Sequence, residues 1–116
     1  MDKEHFLLEN IKEFVKEAKE AKLNGAYNSS VTLFFKAIAV ICDLFILTKE
    51  GLIPRNHTER FEILKTRYRD IYKILNKDFP VYQQSYRLKL GKEYAEVLEE
   101  DVKKIIEITK INIERQ

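Results

Sequence analysis

Few residues in this chain of 116 invite a chemical reading. Lys36 and Asp43 are ionisable groups inside Val31–Leu47, a run in which almost every other side chain is apolar. Their separation corresponds to about two helical turns, so on a helix they share one stripe. They read as a site facing a cleft or, preferentially, as groups each satisfied by a partner on another helix, because an unpaired buried charge is costly. The histidines, His5 and His57, are not spaced as ligands on one helix. A helical di-iron site needs Glu-x-x-His pairs, and Asp2-Lys3-Glu4-His5 does not have that spacing. Neither a metal nor a cofactor is expected. Cys42 stands alone in an apolar run and reads as a small buried side chain. Glu96, Glu99, Glu100 and Asp101 cluster near the start of a helix, where carboxylates complement the helix dipole; that reading outweighs an acid–base pair. The sequence holds no Gly-rich phosphate loop and exposes no Ser-His-Asp signature.

Positioning these groups falls to long helices. A composition of 45% hydrophobic and 34% charged residues is that of a globular chain, and the length is that of a single domain over 1–116. Three glycines and two prolines are too few for an all-β domain, which needs a turn about every 8–12 residues. Lys and Arg number 21 against 19 for Asp and Glu, a balance that does not announce a nucleic-acid or membrane binder. Five of the six arginines lie between Arg55 and Arg87, as a local basic patch or, preferentially, a solvated helical face. The first residues are polar with no cleavable apolar stretch after them, so a cytoplasmic location is expected.

Periodicity predicts a helix from about Asp2 to Leu23, closed by Asn24-Gly25. A second runs from about Ala26 to Thr48. Its apolar run is 17 residues and contains Lys36 and Asp43, which argues against a membrane span. Ser29, Thr32, Lys36 and Asp43 mark one polar stripe on a helix otherwise apolar all round. One subunit would leave part of such a helix uncovered, so a dimer is expected. Gly51 and Pro54 break the chain, and Asn56-His57-Thr58-Glu59 reads as the cap of a third helix. Asn76 to Pro80 reads as its end. A short fourth element, Val81 to Leu90, and a closing helix, Lys92 to Glu114, complete the chain. The expectation is an all-α, antiparallel up-and-down bundle of four long helices plus one short inserted helix.

Three stretches in this order resemble the HEPN domain family. Ala26-Tyr27-Asn28-Ser29-Ser30 running into the apolar helix resembles the opening of that family's second helix. The Gly51–Pro54 connection leading to His57 resembles the one that often places a histidine before the third helix. Tyr86-Arg87, then Tyr94 and a long closing helix, is similar to the family's "Tyr, Arg, then Tyr" stretch. The resemblance spans about Ala26 to Ile113. It implies an antiparallel helical bundle, usually a homodimer. Many members are RNA-cleaving toxins paired with a minimal nucleotidyltransferase antitoxin; others only bind.

Active members carry an arginine, usually followed by a polar residue, and a histidine about four to six positions on. Here Arg87 is followed by Leu88, and Tyr94 stands near the histidine's place. An imidazole titrates near neutral pH and can exchange a proton with a ribose 2′-hydroxyl. A phenol of pKa about 10 is a poor substitute. Arg87 can still grip a phosphate, and Tyr94 can stack on a base. His57 lies outside the motif, as a helix-start residue by preference or a displaced catalytic group. The expectation is therefore a homodimeric module that binds nucleotide, RNA or a partner protein (a nucleotidyltransferase-type antitoxin among them) without strong catalysis. Arg87, Tyr94, Tyr86, Lys36 and Asp43 are its candidate contacts, and Arg87, Tyr94 and His57 its catalytic candidates. The alternatives are a metal-independent ribonuclease toxin and a helical dimer unrelated to nucleic acid.

Overall fold

In a computed structural model of the chain, residues 2–114 are described, and every regular element among them is a helix. Asp2 caps α1 (Lys3–Leu23) by accepting the His5 N–H at 2.7 Å. Asn24 and Gly25, the latter at φ 76°, end it as the sequence predicts. Three residues later α2 (Tyr27–Glu50) runs back along α1. Ser30 sits at that seam, donating its hydroxyl to the Ala18 carbonyl at 2.8 Å, so its buried oxygen is satisfied.

α2 is the hub. It packs on α1, α4 (Arg69–Gln84) and α5 (Lys92–Thr109), and Phe34, Ile38, Ile41 and Ile46 along it are fully buried. Each such side chain contributes roughly 1.5–3 kcal/mol. By length and composition α2 could cross a membrane, yet its sides are covered by its own chain. Only Ser29, Lys36, Thr48 and Lys49 along it are exposed. The premise of the expected dimer therefore changes: one chain already covers the apolar perimeter of α2.

The third and fourth segments differ from expectation. The chain after Asn56 forms α3 (His57–Arg67), leaves helical geometry at Tyr68 (φ −136°, ψ 66°), and folds back as α4. No glycine or proline marks that break. Tyr68 is instead held by its tertiary contacts, its ring edge-on to Phe45 at 4.9 Å and its hydroxyl donating to Glu50. Conversely, Asn76 to Pro80 does not end a helix. Pro80 lies within α4 on an exposed face, where the carbonyl it leaves free belongs to exposed Asn76. Burial of Ile71, Leu75 and Asp78 on the opposite face keeps the helix continuous. The expected short helix over Val81–Leu90 is thus the end of α4 followed by an irregular connection, 85–90. The short helix of the fold is α3.

Side-chain contacts give the directions. Tyr68 meets Glu50 at the end of α2, while Asn28 at its start bonds Ser85, Leu88 and Leu90. Hence α4 runs opposite to α2. Lys77 at mid-α4 meets Asp101 at mid-α5, and Lys22 near the end of α1 pairs with Glu99.

Candidate functional site

Asp43 is the buried polar residue that organises the site. On a helix of apolar neighbours its carboxylate requires a cation, and α3 delivers one. Asn56 accepts the Glu59 N–H at 2.9 Å, and Glu59 accepts the Arg55 N–H at 2.9 Å, which fixes the first turn. One turn in, Arg60 donates from Nε and Nη2 to the two Asp43 oxygens at 2.7 and 2.9 Å, a bidentate pair joining α3 to α2. The remaining Arg60 donor, Nη1, lies 2.9 Å from His57 Nδ1.

That contact settles the state of His57. A guanidinium only donates, so Nδ1 is the acceptor and the imidazole proton resides on Nε2. Burial, and then the Arg60 charge, hold the imidazole below its ordinary pKa, so the ring is neutral near pH 7. Its Nε2–H is buried without a partner among the described residues. The ring lies against Phe79 and Phe61, at 4.2 and 4.4 Å between centroids. His57 is therefore a fixed hydrogen-bond donor lacking an acceptor.

A cleft of about 470 Å³ opens beside it. Its walls are aromatic: Phe14 from α1, Phe35 from α2, and Phe79 and Tyr82 from α4. Tyr82 stacks on Phe35 at 4.7 Å and 18° between planes. Arg60 and His57 border the cleft, and exposed Lys36 stands at its edge, its ammonium without an ion-pair partner among the described residues. With Arg60 neutralised by Asp43, Lys36 is the uncompensated charge. The cleft thus combines aromatic walls, the exposed Lys36 ammonium and, at its border, an imidazole whose Nε2–H is buried.

A second groove, of about 670 Å³, includes Pro80, Gln84, Tyr86, Arg87 and Leu88. It is built on the 85–90 connection, which Asn28 holds by donating to the Ser85 and Leu88 carbonyls at 2.8 and 2.6 Å and accepting the Leu90 N–H at 3.0 Å. The Arg87 guanidinium has no partner among the described residues. The two grooves meet through the Tyr82 and Tyr86 hydroxyls, 2.8 Å apart. That bond, and then burial, push the Tyr82 phenol up to about 12.

The sequence candidates thus divide. Asp43, His57 and Lys36 come together at the aromatic cleft, although Asp43 faces its Arg60 partner and is not a free contact. The expectation that Lys36 and Asp43 are each satisfied by another helix holds for Asp43 alone. Tyr86 and Arg87 share the second groove. Tyr94, 40% exposed on the first turn of α5, lines neither. Arg60, Phe14, Phe35, Phe79 and Tyr82 complete the cleft and are not among the sequence candidates. A signal for Arg60 existed, because a buried Asp43 demands a cation and Arg60 stands one helical turn from His57. Among the described residues no group of three or more His, Cys, Asp or Glu is placed to hold a metal ion. The chain matches no family model, no curated protein and no solved structure.

Proposed function

We propose that this chain is a HEPN-like binding module, an up-and-down helical bundle that holds a nucleotide, free or within RNA, in the cleft between α1, α2 and α4. The observation that carries the reading is the orphaned His57 Nε2–H beside an aromatic-walled cleft edged by Lys36. A base stacks on the phenyl rings, an acceptor on it completes His57, and its phosphate lies toward Lys36. Arg87 and Tyr86 continue the surface through the Tyr82 hydroxyl.

The same geometry favours binding over cleavage. A general base at His57 needs a bare Nε2, and Arg60 imposes the opposite tautomer. A general acid needs the imidazolium, which burial and Arg60 disfavour. Tyr94 does not join Arg87 in its groove. A homodimer fits the end of the bundle where Leu23, Tyr86, Leu88, Tyr94 and Val97 are exposed. Leu23 closes α1 there, Asn28 anchors 85–90, and α5 begins.

The test is titration of the purified protein with adenosine, guanosine, cytidine and uridine monophosphates and a short RNA, followed by fluorescence and NMR, with His57→Phe alongside. Saturable binding weakened in the variant is expected, with no RNA cleavage in the presence of a chelator. Chelator-resistant cleavage lost in Arg87→Ala would instead establish the ribonuclease reading.

A further inference from the structure

Away from the cleft, the joint between α4 and α5 contains an arrangement that neutral-pH carboxylates do not tolerate. Asp78 is only 1% exposed, and neither of its oxygens has a hydrogen-bond donor among the described residues. Asp101 from α5, also 1% exposed, shares the Lys77 ammonium with it. The charged groups around the pair are Lys77 on α4 and Lys104 on α5. Lys77 Nζ lies 2.8 Å from Asp101 Oδ2 but 3.6 Å from Asp78 Oδ1, and Lys104 Nζ lies 3.9 Å from Asp101 Oδ1. The cations therefore serve Asp101 first, and Asp78 is left buried with an acceptor as its neighbour.

We propose that Asp78 carries a proton and donates it to Asp101, so that one proton fastens α4 to α5, and that losing it loosens the α4 wall of the cleft. A proton on Asp78 turns two mutually repelling acceptors into a donor and an acceptor, the arrangement that carboxylate dyads adopt when they cannot both ionise. Phe79, the next residue along α4, lies against His57, and Tyr82 one turn on stacks on Phe35. Whatever occupies the cleft, its wall stands on the element this proton holds.

Burial, followed by the Asp101 neighbour, raises Asp78 to about 8 from an ordinary 3.8. Between those values the unfolded chain has lost the proton and the folded chain keeps it. Stability is then full at acid pH and lost as pH climbs through that window, by up to roughly tenfold in the unfolding equilibrium per pH unit.

The experiment is a carboxyl-carbon NMR titration of the intact chain, with denaturant unfolding and amide exchange of wild type, Asp78→Asn and Asp101→Asn across the same range. One Asp carboxyl titrating at neutral-to-alkaline pH is expected. With it should come wild-type stability that falls as pH rises, faster exchange in α4 above the midpoint, and loss of that fall in Asp78→Asn. Asp101→Asn offers Asp78 an amide donor and should pull its titration down. Titration of every aspartate in the ordinary acidic range, or parallel stability profiles for wild type and Asp78→Asn, would overturn the proposal. The wild-type titration decides even if a variant fails to fold.

Discussion

The aromatic cleft and the Arg87 groove hold their polar groups in opposite ways. In the aromatic cleft, Asp43, Arg60 and His57 are bonded to one another at 2.7–2.9 Å, and the rings beside them are stacked in place. In the other groove, Arg87 and Tyr86 sit on an irregular connection, and Arg87 is exposed with no partner among the described residues. A donor whose direction is already fixed costs little ordering on binding and rejects ligands without an acceptor there. A free surface cation attracts any anion and discriminates little. On the proposed reading, selectivity would belong to the cleft behind His57 and steering to the rim at Arg87.

The comparison breaks first at Arg60. Arg60→Met leaves the Asp43 carboxylate buried without its partner and should cost about 3 kcal/mol in denaturant unfolding, with much of it recovered on adding Asp43→Asn. Loss below about 0.5 kcal/mol would mean that the pair holds nothing in place. Next is Asn28, whose three bonds anchor the second groove to α2. Asn28→Ala should cost about 2 kcal/mol and raise amide exchange across 85–90, leaving the His57 ring environment unchanged. Should the cleft respond equally, the two regions are one unit.

Smaller effects sharpen the contrast. His57→Phe keeps a ring against Phe79 and Phe61 and should change stability by no more than about 1 kcal/mol while weakening nucleotide binding about tenfold. Arg87→Ala should leave stability within about 0.5 kcal/mol and weaken binding only at low salt. A larger binding loss at Arg87 than at His57 would invert the assignment. The smallest effect is a pH term. With the folded His57 below its ordinary 6.5, the unfolded chain takes up a proton first on acidification. His57→Phe should therefore remove a small loss of stability as pH falls through that value.

How much of this was legible in the sequence varies by element. The ends of α1 and α2, and the start of α3, were legible because Gly25, Gly51 and Asn56 act through their own backbone or side chain. The break at Tyr68 was not, since its cause is a contact with Glu50 and Phe45 from another helix. Pro80 misled because a proline signal says nothing about whether the freed carbonyl faces water. The covering of α2 by its own chain was hidden for the same reason. At the site, Asp43 advertised a need for a cation, but Phe35 and Phe79 looked like any core aromatics. Only their convergence on His57 separates a cleft wall from packing.

The most direct measurement is the nitrogen-15 NMR spectrum of the His57 imidazole, free and with adenosine monophosphate. The account predicts a neutral ring with its proton on Nε2 at pH 7, whose Nε2–H signal shifts on saturable binding along with Phe79 and Tyr82. A proton on Nδ1, or nucleotide shifts confined to Tyr86 and Arg87 with His57 unmoved, would contradict it.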